Sequence, residues 1–166
     1  MDGKFHIPTQ AEMLERGIKA AARYLEHCGE QVLDMAFECA PGRIDLVSRD
    51  ADGTIRIVFV RVRQYVLPEM LVVDDELRRV LETRAAFWLE AHRDEVDCAV
   101  TFDVADLAII GTDRAMMRVQ RDILQGMRVD GRDLLARAEL RSTPVPGDAV
   151  EVDVCDDDPS EEDSGE

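Results

Sequence analysis

GRIDLVSRDADGTIRIVFVRVR, residues 42–63, is the stretch whose reading decides the fold. Ile44-Asp45-Leu46-Val47 and the run from Ile55 to Arg63 are rich in β-branched residues. Between them stands Asp50-Ala51-Asp52-Gly53, a hairpin signal. Two antiparallel strands follow from this. Arg61 and Arg63 lie two residues apart on the second of them, so they share one face while Val60 and Val62 take the other. A hairpin pairing can bring Asp45 to the arginine side, which predicts a salt bridge from its carboxylate to Arg61 or Arg63.

On the N-terminal side, Thr9 and Glu12 have the capping-box spacing and open an amphipathic helix that stops near Cys28 and Gly29. Val32, Leu33, Met35 and Phe37 make a strand before the Pro41-Gly42 turn. On the C-terminal side, Pro68 marks a loop, and Asp74 or Asp75 caps a second helix running to about Ala91, with Trp88 on its apolar side. Cys98 to Ile110 reads as a central strand, apolar but for Asp103 and Asp106. Thr112 and Asp113 are expected to start a third helix ending near Gly126, with Arg114, Arg118 and Arg121 along one face. A short helix at about 131–140 follows. The order α-β-β-β-α-β-α predicts an α/β domain, a mixed sheet flanked by helices, over residues 1–142, followed by an acidic tail at 143–166.

The chain has 166 residues and a formal net charge of −16, from 36 acidic and 20 basic residues. Nine of the acids and none of the bases fall in residues 151–166, which leaves residues 1–150 at −7. That tail is expected to be disordered and solubilising, or else an acidic mimic occupying a basic groove. The apolar runs are far short of the roughly 20 residues a membrane helix needs. Four scattered cysteines and three scattered histidines form neither a disulfide framework nor a zinc site. No cofactor, no metal and a cytoplasmic location are the expectations. The P-loop, dinucleotide-binding, nucleophile-elbow and zinc-protease motifs are all missing.

Three pieces remain in order: Gly17 with Ala20, Ala21 and Tyr24-Leu25; GRIDLVSRDADG at 42–53; and FVRVR at 59–63, with VTFDV at 100–104 beyond. This set resembles the YraN-like family, small bacterial proteins with the restriction-endonuclease-like fold. That family typically reads G-E-x-x-A, G-E-I-D-L-I, F-V-E-V-K and R-F-D-V at these places. The resemblance implies that the second-strand aspartate and the acid of E-x-K hold Mg²⁺, which activates water against a phosphodiester. Here Asp45 matches the aspartate, Ile18 stands for the helix-one glutamate, Arg43 for the glutamate before I-D, and Arg61 and Arg63 for the E-x-K pair. The four side chains of helix one, the aspartate and the pair total −2 in the family and +1 in this chain.

The leading expectation is therefore a catalytically degenerate, non-enzymatic nuclease-fold protein. Its ligand would be nucleic acid, bound through a local patch of Arg61, Arg63, Arg114, Arg118 and Arg121. One alternative is a protein-interaction module using the sheet face and the tail, with a protein partner. The other is a divergent Mg²⁺-dependent nuclease using displaced acids such as Glu38 or Asp103.

Overall fold

The computed structural model describes residues 6–125 and 129–142, so the tail expected at 143–166 lies outside the described residues. Helix α1 (Gln10–His27) begins at an N-cap where Thr9 accepts from the Glu12 N–H and Glu12 accepts from the Thr9 N–H, a complete capping box. It ends at Cys28, and Gly29 takes φ +87, a conformation open to glycine at little cost. Strands β1 (Gln31–Cys39), β2 (Gly42–Arg49) and β3 (Ile55–Gln64) form an antiparallel meander. The hairpin joining β2 to β3 is closed by Asp50, whose N–H donates to the Thr54 carbonyl.

Helix α2 (Asp75–Ala91), capped by Asp74, crosses back so that β4 (Ala99–Ile110) lies parallel to β3. Between them Arg93–Glu95 makes a single 3₁₀ turn. Strands β5 (Arg114–Gln120) and β6 (Val129–Asp130) both pair antiparallel with β4, and α3 (Gly131–Ser142) closes the described chain. The result is a mixed six-stranded sheet, ordered β1-β2-β3-β4-β5 with β6 also on β4, flanked by three α-helices.

Each face of the sheet has its own core. On one, Met13, Ile18, Ala21, Ala22 and Leu25 of α1 pack on Leu46, Val58, Val60, Val62, Ala105 and Leu107. On the other, Trp88 and Leu89 of α2 and Leu134 of α3 pack on Ile44, Ile55, Ile57, Val100 and Phe102. The Trp88 indole N–H is satisfied at 3.1 Å by the Asp34 carboxylate on β1. Among the described residues no helix is long and apolar enough to cross a membrane.

One element departs from expectation. Residues 114–120 form a strand, not the expected third helix. The helical spacing of Arg114, Arg118 and Arg121 is real in the sequence, but Gly111 at φ +69 turns the chain straight back, and β5 pairs along the flank of β4. The pairing sets Arg118 directly opposite Asp106, and Ala115, Met117 and Val119 opposite Ile109, Leu107 and Ala105. Tertiary pairing has overridden a local pattern.

Gly17 of α1 sits where the helix meets β3, and a Cβ there would lie 2.4 Å from Val62 Cγ2. Alanine would add about 1 kcal/mol of helix propensity, but overpacking against a stiff β-branched neighbour costs about 1–3 kcal/mol. Gly17→Ala is expected to lower stability in urea denaturation. Adding Val62→Ala is expected to recover part of that loss, because the second change removes the colliding methyl.

Candidate functional site

The ladder between β2 and β3 runs from Arg49–Ile55 to Leu46–Val58. Asp45 is the next residue along. Ile44 packs in the α2 core and Leu46 in the α1 core although they are two apart, so the alternation of β2 breaks at Asp45. Across from it, between the Phe37–Ile44 and Met35–Leu46 pairs, Ala36 takes φ +54. The carboxylate therefore works as a backbone substitute. Its Oδ2 accepts the Val60 N–H at 2.8 Å, a donor of β3 beyond the end of the ladder.

The other carboxylate oxygen, Oδ1, accepts from Arg43 Nε and Nη2 at 3.2 and 3.1 Å. Arg84 of α2 braces Arg43 by donating to its carbonyl at 3.2 Å, and lies over the Phe59 ring at 6.0 Å. Asp45 is only 8% exposed. Burial pushes its carboxyl above the ordinary range, and the Val60 N–H, Arg43 and Arg84 offset only part of that rise.

The expected pairing of Asp45 with Arg61 or Arg63 does not form. Arg61 faces Asp106 in the β3–β4 register, and its Nε donates to Asp106 Oδ1 at 2.7 Å. From the far side, Arg118 of β5 donates to Asp106 Oδ2 at 2.7 Å, and Gln120 does so at 2.6 Å. Arg61 also donates to the Glu69 carbonyl, and Arg118 to the Pro68 carbonyl, which pins the loop between β3 and α2. Arg63 is exposed and makes no ion pair among the described residues.

A second knot lies in the α1-side layer. Asp103 accepts from Arg56 and Arg121 at 3.2 and 2.9 Å and from the Asp122 N–H at 2.8 Å. Arg121 also reaches Glu30, and Arg56 reaches Asp50. The five arginines expected to make one patch are thus divided among separate sites. Arg61 and Arg118 serve Asp106, Arg121 serves Asp103 and Glu30, Arg114 stands at the start of β5, and Arg63 is exposed at the end of β3.

Sequence reasoning missed Asp106 as the organising acid, and Arg43 and Arg84 as the groups around Asp45. For Asp106 the signal was present, since it and Asp103 interrupt an apolar strand. Among the described residues no three histidine, cysteine or acidic side chains converge to hold a metal ion. Glu38 is exposed on β1 opposite Arg43, and Asp103 is held by its arginines. Ile18, at the helix-one glutamate position, is buried and lines a cleft of about 420 Å³ with Arg43, Lys19 and Met35.

The raised Asp45 carboxyl has a consequence for pH. A folded-state value above the unfolded one means that the native state binds more protons between the two, so this group's contribution to stability falls as pH rises through that interval. Asp45→Asn removes the titration and keeps an oxygen for the Val60 N–H. Thermal melts from acid to neutral pH are expected to show the variant gaining on the parent as pH rises. A variant that instead loses ground to the parent as pH rises would mean that the carboxyl is held down.

Residues 18–107 match the family described as Uncharacterised protein family UPF0102. A UPF0102 protein of Syntrophus aciditrophicus is 35% identical over 82 residues, covering 46% of this chain and 61% of the relative. One of Chloroflexus aurantiacus is 47% identical over 58 residues, 34% of this chain and 46% of the relative. One of Geobacter sulfurreducens is 32% identical over 101 residues, 59% of this chain and 77% of the relative. The matched part thus spans about half to three-fifths of the length of the first two relatives. The match covers α1 from Ile18 onward, the three-stranded meander, α2 and most of β4, which include the elements that carry Asp45, Arg61 and Asp106, and on it the chain belongs to the UPF0102 family.

Proposed function

We propose that this protein is a nuclease-fold protein that has exchanged a metal site for ion pairs and acts by binding, with nucleic acid as its ligand. The observation that carries this is the fate of the charged groups where the resemblance puts a metal. Both oxygens of Asp45 are engaged, one by a backbone N–H and one by Arg43. Arg61, in place of the second acid, is engaged by Asp106. Mg²⁺ needs several oxygen ligands. At an effective dielectric near 20, each unit charge about 4 Å from a divalent ion changes its energy by about 8 kcal/mol. One carboxylate facing guanidinium groups does not fit that ion, and no hydrolytic step runs through it.

Arg61→Glu would set a second carboxylate against the buried Asp106 rather than complete a metal site beside Asp45. The nucleic-acid part of the proposal rests on the family resemblance and on arginines such as Arg63 and Arg114, which have no acidic partner among the described residues. The net charge of −16 opposes non-specific phosphate binding, so contact must be local.

A second reading, docking of a protein partner, is favoured by one specific feature. The loop pinned by Arg61 and Arg118 exposes Tyr65, Val66, Met70 and Val72 together, a concentration of apolar surface in a tethered segment. Mobility-shift assays on single-stranded and duplex DNA and RNA separate the two, with retardation at low salt supporting the first. Titration with millimolar Mg²⁺ or Mn²⁺ is expected to leave the melting temperature unchanged, because an ion that does not bind the native state cannot stabilise it. A rise specific to those ions, or metal-dependent cleavage of any of these substrates, would overturn the loss of the metal site.

A further inference from the structure

Among the described residues the sheet has two open edges, β1 and β5, and they differ. The β1 edge is broken by a register shift between Val32 and Asp34 and by Ala36 at φ +54, irregularities that discourage the addition of another strand. The β5 edge has neither. Its seven residues pair with β4 in unbroken register, and a strand of that length runs about 24 Å.

The direction of its outer backbone groups follows from β4. The Ile109 carbonyl accepts the Tyr65 N–H on the β3 side, whereas the Phe102 and Cys98 carbonyls accept the Ile123 and Gly131 N–H groups on the other. Peptide groups of alternate residues point to opposite sides of a strand, so the even-numbered residues of β4 face β5. Their partners are Arg114, Met116, Arg118 and Gln120. Ala115, Met117 and Val119 therefore turn their N–H and C=O groups to the open edge. On the α2 side this edge is flanked by the 65–73 loop. Tyr65 is bonded to Ile109, the partner of Ala115, then Pro68 accepts from Arg118, and Val72 and Ile123 line one hollow. Tyr65, Val66, Met70, Val72 and, on β5 itself, Met116 are each more than half exposed.

We propose that β5 is a dimerisation edge, to which a second copy of this chain adds its own β5 antiparallel about a twofold axis at Met117. A twofold axis normal to the sheet keeps every side chain on its own face, so a residue must meet itself on the axis. With Met117 there, all seven residues pair. The outward groups of Met117 meet their own copies, and those of Ala115 meet those of Val119, which closes hydrogen-bonded pairs along the edge. Arg114 comes opposite Gln120, and Met116 opposite Arg118. Just beyond the strand ends, Asp113 comes opposite Arg121 of the second copy, an opposite-charge pair formed twice. An axis at Met116 would set Arg114 against Arg118, and one at Arg118 would set that residue against itself; like charges directly opposite destabilise a sheet. Charge thus selects the register that also pairs the full strand. Main-chain hydrogen bonds and burial of the apolar loop act together in such an addition. The inference rests on the reading of the 65–72 loop as a docking surface and not on nucleic acid being the ligand.

The test uses the full chain at about 0.15 M salt, where a Debye length of about 8 Å screens the −16 carried by each copy. Sedimentation equilibrium from about 1 µM to about 1 mM, the span of weak contacts, is expected to show monomer and dimer in exchange. Over the same range hydrogen exchange at the Ala115, Met117 and Val119 amides is expected to slow as dimer forms, while Met116 and Arg118 keep their rates. Met117→Pro removes an outward N–H and leaves the β4 ladder whole, and Asp113→Arg sets like charges opposite at both strand ends. Each is expected to raise the dimer dissociation constant about tenfold or more. A dimer that neither substitution weakens, or whose three outward amides exchange as in the monomer, overturns the pairing. So does protection of those amides at every concentration, which would mean that another part of the same chain covers the edge. A chain that stays monomeric overturns the pairing alone, because docking of a different protein on the loop requires no second copy.

Discussion

Asp106 is a charge with no access to water, in an interior strand of the sheet, and the rest of the structure is arranged around keeping it paired. An isolated carboxylate in such a place is far too costly to remain ionised. Two guanidinium groups from the neighbouring strands make it tenable, Arg61 from β3 and Arg118 from β5, each in register with it. Their side chains stay about one-third exposed, so the burial cost falls mainly on the acid. The same two arginines hold the carbonyls of Glu69 and Pro68, so one buried charge ties together three strands and the loop leading into α2.

The knot at Asp103 repeats the scheme in the other layer, with Arg56 and Arg121 closing on it and on Glu30 and Asp50. Ser48 donates to Glu30 at 2.7 Å, which joins β2 to the same network. Eighteen of the 20 basic residues are arginine. Their planar forks can serve a carboxylate and a backbone carbonyl at once, as Arg61 and Arg118 do, which a lysine ammonium does with less directional control. Asp45 stands apart from both knots. It closes a gap where two strands separate, and Arg43 and Arg84 meet the remaining charge locally.

Much of the fold was legible in the sequence because its signals are local. The Thr9–Glu12 capping box, the Asp50–Gly53 hairpin, the Asp74 cap and the apolar run of β4 each depend on neighbours a few residues away. β5 was not legible. Its arginines have helical spacing, and what makes it a strand is the flank of β4 and the demand of Asp106, neither of which a window on 112–126 contains. The same limit applies to the site. Arg61 and Arg63 were rightly placed on one strand face, with Val60 and Val62 packing on the other. The partner of Arg61 was decided by cross-strand register forty-five residues away, and β3 meets β4 there before it meets Asp45.

The central claim is that the arginine at the expected metal-ligand position belongs to Asp106 and not to Asp45. A pair of double-mutant cycles measures this most directly, with Arg61→Leu combined in turn with Asp106→Asn and with Asp45→Asn, read by urea denaturation. Removing one partner of a buried pair costs about 3–5 kcal/mol, so the Arg61–Asp106 cycle is expected to show coupling well above 1 kcal/mol. The Arg61–Asp45 cycle is expected to show additivity to within about 0.5 kcal/mol. Strong coupling of Arg61 to Asp45 with none to Asp106 would contradict the account.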